Sequence, residues 1–185
     1  MTTLNSNLTE LFEFVADAVP ERTALLRGEQ RRSFAQLERR ANQCANALFA
    51  RGVGAGEAVG LQLGNDAEYV EAMIGCMKIG AVPIEVRCSD VDDELHALLD
   101  GAGAVAVIHY RSFASRIATL RARLPKLRML LSVDDGSGAD LSEAGSEDFE
   151  SALAGANTTR VGLGTLFEAT KATLGERPQG NARRI

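Results

Sequence analysis

Several stretches of this chain carry residue types that do chemistry in other proteins. Gly52-Val53-Gly54-Ala55-Gly56 has the glycine content of a loop whose backbone N–H groups cradle phosphate. Arg87-Cys88-Ser89-Asp90 puts a cation, a thiol, a hydroxyl and a carboxylate in consecutive positions. His96 and His109 carry the side chain best suited to proton transfer near neutral pH. Cys44, Cys76 and Cys88 are the thiols. Most of these have a plainer explanation. The glycine run follows a helical pattern and precedes a strand pattern, the reverse of what a phosphate loop requires, so it reads as a helix-to-strand connection. His109 ends a strand pattern with no nucleophile or acid beside it in sequence, and His96 sits on a helical pattern; both read as surface or packing residues. The cysteines are odd in number and widely spaced, which fits neither a metal site nor a disulfide framework. Only Arg87 to Asp90 keeps a positional argument. It follows a strand at the carboxyl end, where open parallel sheets place ligand-binding loops. The competing reading is a solvated turn capping the next helix, whose Asp92, Asp93 and Glu94 suit a positive helix N-terminus.

These residues depend on a scaffold that the hydrophobic pattern describes. Apolar runs at 59–63, 81–86, 104–108 and 127–133 alternate with helical patterns, which predicts crossover units on a parallel sheet. Pro83 has no N–H to give a ladder, so the second run is a strand end or a local irregularity. Leu8 to Val19 reads as an amphipathic helix stopped by Pro20, and 23–33 as a small hairpin turning at Gly28. Ser33 and Gln36 have the spacing of a capping box, after which Leu37, Ala41, Cys44, Ala45 and Leu48 form one apolar face. Glu38, Arg39, Arg40, Gln43 and Asn46 fall elsewhere on that helix. Asp66 is placed to cap the next helix, with Tyr69, Val70, Met73, Ile74 and Met77 as its core stripe. Arg111, Arg116, Arg121 and Arg123 lie on a basic amphipathic helix and read as a solvated face. Residues 134–150 contain acids but no base, with several glycines and serines, and read as a flexible surface loop before a brief helix carrying Phe149 and Leu153. Beyond it, 161–174 is a further helical candidate, and 175–185 reads as disordered.

The fold class is therefore α/β: a partial doubly wound, mostly parallel sheet flanked by helices, with a small N-terminal hairpin. At 185 residues the chain suits one domain with a sizeable core. We divide it into a subdomain over residues 1–154 and a divergent, poorly ordered tail over 155–185. The net charge of −5, with no basic stripe, excludes a nucleic-acid groove. No run approaches the ~20 apolar residues of an integral membrane segment, and the N-terminus lacks a signal-peptide pattern. A cytoplasmic location is expected.

Further segments carry a family resemblance: Val19-Pro20-Glu21-Arg22-Thr23-Ala24, Arg32-Ser33-Phe34-Ala35-Gln36-Leu37, Gly60-Leu61-Gln62-Leu63-Gly64-Asn65, and 72–83 from Ala72 to Pro83. Asp93-Glu94-Leu95 and Leu124-Pro125-Lys126-Leu127-Arg128 complete the set. In order and spacing, residues 8–154 resemble the N-terminal part of the adenylate-forming (AMP-binding) acyl-CoA synthetases of the fatty-acid–CoA ligase type. The resemblance implies ATP, Mg and CoA as the full-length family's cofactors and co-substrates, used to make an acyl-adenylate and pass the acyl group to a thiol. It also implies a Ser/Thr/Gly-rich phosphate loop ending in lysine and a catalytic lysine on a C-terminal domain. These 185 residues contain neither; Gly162-Leu163-Gly164-Thr165 and Lys171 do not match. Where such ligases show an asparagine and an Arg-Tyr pair, this chain has Glu85-Val86-Arg87-Cys88-Ser89-Asp90.

No catalytic, cofactor-binding or metal-ligating residue is assigned from sequence, and no cofactor is expected for this chain alone. The expectation is a truncated, inactive ligase-like protein. The alternative is a non-catalytic module that self-associates or binds a complementary ligase fragment, completing an open sheet. A dinucleotide-binding enzyme would need a glycine fingerprint that Leu63-Gly64-Asn65-Asp66 does not supply.

Overall fold

The computed structural model describes residues 8–142 and 144–161. Helix α1 (Leu8–Ala18) ends two residues before Pro20 and leads into an antiparallel hairpin, β1 (Thr23–Arg27) and β2 (Gln30–Ser33). Ser33 then caps α2 (Phe34–Ala50): its Oγ accepts from the Gln36 N–H at 3.2 Å, and the Gln36 side chain accepts from the Ser33 N–H at 2.9 Å. This reciprocal pair satisfies donors that a helix start leaves open. All five residues of the expected apolar face, Leu37, Ala41, Cys44, Ala45 and Leu48, are buried.

The crossover series follows as β3 (Ala58–Gln62), α3 (Ala67–Lys78), β4 (Val82–Glu85), α4 (Asp92–Ala102) and β5 (Ala106–Tyr110). A 3₁₀ turn (Arg111–Phe113), α5 (Ala114–Arg121), β6 (Met129–Val133), β7 (Glu147–Asp148) and α6 (Phe149–Ala154) complete the described chain. The five strands lie in the order β4-β3-β5-β6-β7, all parallel. Strand alternation sends Val59, Leu61, Ile108, Leu131 and Val133 into a core with α2, α3 and α6. Ala58, Val107 and Leu130 point the other way, against α4 and α5. Gly60 lies on that second face, where a Cβ would sit 2.8 Å from Leu99 Cδ2.

The structure corrects several expectations. On α3 the buried residues are Glu71, Ala72, Ile74, Gly75, Cys76 and Lys78, whereas Tyr69, Val70, Met73 and Met77 are only half-buried. The helix is pressed between the sheet and α2, so small residues occupy its closest approaches and large ones its flanks. A Cβ on Gly75 would lie 2.8 Å from the Cys44 Cβ. On α2, Glu38 and Asn42 are buried as well. Glu38 is covered because Lys78 Nζ reaches it at 3.0 Å and Arg160 Nε at 2.8 Å, while Lys78 also meets Glu13. Arg40 joins Glu71 on α3, at 2.9 Å, to Glu150 on α6.

The segment 134–150 is not simply a surface loop. It contains β7, and Ala144 is buried beside Arg121, whose Nη1 donates to the Ala144 carbonyl at 2.9 Å. Two strand residues are too few to show a period. The arginines expected on a solvated face are likewise tied down. Arg116 meets Asp92 and the Asp90 carbonyl, Arg123 lies 3.5 Å from Asp93, and Arg111 lies near Asp134 and Asp148. The expectations for residues 162–185 lie outside the described residues.

The sheet edges are also less open than a partial sheet implies. Val82 and Val86 donate to Glu57 and Leu61 carbonyls, so alternation turns Pro83 and Glu85 outward from β3. Proline has no donor to offer there, and β7 on the opposite edge is only two residues long.

Candidate functional site

In an open parallel sheet the ligand crevice lies at the carboxyl ends of the two strands where the strand order reverses direction. Here β3 connects outward to β4, and the chain then crosses back to β5, so that point lies between β3 and β5. Gly64, Asp66 and Tyr110 meet there. The Tyr110 hydroxyl accepts from the Gly64 N–H at 2.8 Å and donates to the Asp66 carboxylate, which also contacts Arg27 of the hairpin. Burial, with the bond to Asp66 next, pushes the Tyr110 phenol up to about 12. The phenol is a fixed neutral donor at physiological pH. A Cβ on Gly64 would approach the Tyr110 oxygen to 3.0 Å, so glycine is what lets the ring sit this close.

This arrangement corrects the expected role of Asp66. It occupies the cap position of α3, but its side chain makes no cap bond. The carboxylate is drawn off to Tyr110 and Arg27 instead. It sets a negative charge at the start of α3, which disfavours an anion there, while Tyr110 engages the Gly64 N–H in the turn before the helix. No sequence signal marks the cluster, because its members come together only through sheet topology.

His109 is fully buried, in register with Gln62 on β3 and Ser132 on β6. Its Nδ1 lies 2.8 Å from the Tyr110 carbonyl, so Nδ1 carries the proton, and Nε2 accepts from the Ser146 hydroxyl at 2.9 Å. Burial holds its pKa below the ordinary value, against the pull of the Tyr110 carbonyl. Both nitrogens are engaged, which makes this a packing histidine. His96 is half-buried on α4, with Nε2 3.2 Å from the Arg123 carbonyl. Gln62 and Ser132, fully buried beside His109, have no hydrogen-bond partner for their side chains among the described residues.

The Arg87 to Asp90 loop closes on itself. Arg87 Nε donates to Asp90 at 2.8 Å, and Asp90 is buried while the Arg87 side chain stays exposed. The residue at the cap of α4 is Val91, without a side-chain bond, so this loop does not cap the helix through Ser89 or Asp90. Cys88 is exposed, but partial burial and then Asp90 raise its pKa, the reverse of an activated thiol. Cys44 and Cys76 are buried, and burial raises both, Cys76 to about 12. Across the crevice, Ser112 and Ser137 N–H groups bind the Asp135 carboxylate and bring it down to about 2, against the opposing effect of burial. The Gly52 to Gly56 run is the expected connection between α2 and β3, its Gly52 carbonyl accepting from Arg128 at 2.6 Å. Among the described residues, no group of three or more His, Cys, Asp or Glu could hold a metal ion. No helix among them is long and apolar enough to cross a membrane.

Comparison with known proteins gives this scaffold a context. A family model described as "AMP-binding enzyme" matches residues 12–172. A medium/long-chain-fatty-acid–CoA/3-oxocholest-4-en-26-oate–CoA ligase of Mycobacterium marinum is 40% identical over 154 residues, 83% of this chain and 28% of the relative. A 3-oxocholest-4-en-26-oate–CoA ligase of Rhodococcus rhodochrous is 38% identical with the same coverage. Among solved structures, an anthranilate CoA ligase in complex with anthranoyl-AMP superposes with a TM-score of 0.76 at 28% identity, covering 84% of this chain and 29% of that one. The chain thus spans about 28% of the length of the curated relatives it matches.

Proposed function

Because this chain belongs to the AMP-binding enzyme family and matches the N-terminal part of fatty-acid–CoA ligases, we propose that these residues form a ligase-like N-terminal subdomain, inactive by itself. Its working unit is the subdomain read from sequence as 1–154 together with the strap that returns through Arg160, and its location is cytoplasmic. The family generally uses ATP, Mg and CoA. The observation that carries the reading is coverage: four fifths of this chain aligns, yet under a third of each relative does. The crevice supports it. Tyr110 and Asp66 occupy the position where a doubly wound sheet would take a nucleotide, and His109 has no free nitrogen for proton transfer. The test is ATP–pyrophosphate exchange by the purified chain with medium- and long-chain fatty acids, beside a complete ligase. Exchange above the protein-free background would overturn the inactive assignment.

A second reading is a non-catalytic module that binds a complementary ligase fragment or another copy. Leu8, Leu11 and Phe14 favour it, standing 64%, 56% and 71% exposed at spacings of three on α1. Because Pro83 and the two-residue β7 blunt the edges, such association would use helix faces and not added strands. A monodisperse monomer by light scattering at high concentration, with no binding to a ligase C-terminal fragment, would rule it out.

A further inference from the structure

Leu8, Leu11, Phe14 and Asp17 follow one another at spacings of three on α1, so they form a single row along the helix. The three apolar members are exposed, whereas Ala16 is buried and Phe12 packs on the Leu37, Ala41 and Ile74 cluster. The Asp17 end of the row is where the chain returns. Arg160 grips the Asp17 carboxylate with both Nη atoms, at 2.7 and 3.0 Å, while its Nε donates to Glu38 at 2.8 Å. The described residues end at 161, so the chain that follows sets out within one arginine side chain of the row.

The sequence after 161 has the pattern to cover it. Leu163, Leu166, Phe167, Thr170 and Leu174 recur at helical spacing, and Gly175 follows as a stop. As a helix, 163–174 would run ~18 Å, against ~16 Å for the 11 residues of α1. Charge favours the same pairing. α1 carries Glu10, Glu13 and Asp17 and no base, whereas residues 162–185 hold Lys171, Arg177, Arg183 and Arg184 against Glu168 and Glu176, a net of +2 in a chain of net −5. A second copy of α1 would instead set three acids against three. Three exposed apolar side chains are also far fewer than the ~20–30 residues a side of a stable interface between proteins. A segment of the same chain needs no such area, because a short link holds it at an effective concentration on the order of millimolar.

We propose that residues 163–174 dock as a helix along α1, with Leu166 and Phe167 over Phe14 and Leu11, and Leu174 towards Leu8. The direction is antiparallel, because a segment entering at Asp17 covers the row only by running back towards Leu8. The tail is then an intramolecular cover that keeps the subdomain monomeric. This does not rest on the ligase reading, and it gives the helix face that the second reading uses an occupant from the same chain.

The test is a NOESY spectrum of the full chain labelled with carbon-13, beside an isotope-filtered spectrum of labelled and unlabelled chains mixed. Cross-peaks from the Phe14 ring and Leu11 methyls to Leu166 and Phe167 are expected in the first and absent from the second. Phe167→Asp should abolish the cross-peaks to Leu166, whereas Thr165→Asp, on the opposite side of the segment, should retain them. No cross-peak between α1 and 163–174, cross-peaks between labelled and unlabelled chains, or the same response to both substitutions would each overturn the proposal. The two spectra of the unaltered protein decide the matter even if a variant misfolds.

Discussion

His109 shows how a residue whose type advertises chemistry is spent on packing. Its imidazole lies between the Tyr110 carbonyl and the Ser146 hydroxyl, under α4 and α5, and burial lowers its pKa from the ordinary 6.5. In the unfolded chain the ring takes up a proton near 6.5, whereas the folded chain resists until lower pH. Between those values the unfolded state holds more protons, so stability rises with pH. The contribution is fully present above the unfolded pKa and is lost as pH falls from 6.5 toward the folded value. Glu71 works in the opposite sense, because burial raises its pKa despite Arg40, and protonation of it favours the fold. The two are separated by comparing variants. The melting temperature of the native sequence should fall from about pH 7.5 to about pH 5.5 more steeply than that of His109→Gln, which has no proton to gain in this range. Parallel melting curves for the two proteins would mean that the imidazole is not held neutral.

At the scale of elements, Pro83 decides what the sheet can pair with. Within β4 it turns its nitrogen away from β3, to the free side, where any added strand would need a donor. Pro83→Val would restore that donor on a strand whose Val82 is already 45% exposed. The variant should self-associate more strongly in sedimentation velocity at matched concentration; an unchanged distribution would show that the proline does not guard this edge. Pro83 also illustrates what was legible in the sequence. The apolar runs and the Ser33–Gln36 capping box are local signals, and the structure forms strands over each run and the box at the start of α2. The proline's irregularity was visible, but its outward orientation depends on which strand lies beside it. The same limit hid the burial of Glu38, held by Arg160 at a separation of 122 residues, and the diversion of Asp66 to Tyr110, 44 residues away. In both cases a local rule, polar side out or aspartate caps helix, lost to a partner supplied by the fold. β7 escaped for a different reason: a two-residue strand has no period to read.

The whole molecule is closed by a strap that the domain boundary at 154 would leave out. After α6 the chain runs back over α1 and α2. Asn46 donates to the carbonyls of Asn157 and Thr159 at 3.1 and 2.8 Å, and Gln43 donates to that of Leu153 at 3.0 Å. Arg160 then bonds Asp17 on α1 and Glu38 on α2, at 2.7 and 2.8 Å, and these acids in turn raise its pKa. Lys78 approaches Glu38 from α3 and Glu13 from α1, so one buried carboxylate gathers two helices and the returning strap. The Arg160 side chain is 38% exposed, so solvent screens much of the attraction, and its loss is worth about 1 kcal/mol. For a chain of this length that corresponds to a melting temperature about 2–4 °C lower in Arg160→Ala. Arg39, exposed on the outer side of the same helix, provides the control, and Arg39→Ala should melt with the native sequence. A double-mutant cycle with Glu38→Gln then separates coupling from simple loss of charge, because removing Arg160 should matter less once the carboxylate is gone. Equal effects of Arg160→Ala in both backgrounds would show that the strap does not depend on Glu38 and that Arg160 acts through Asp17 on α1.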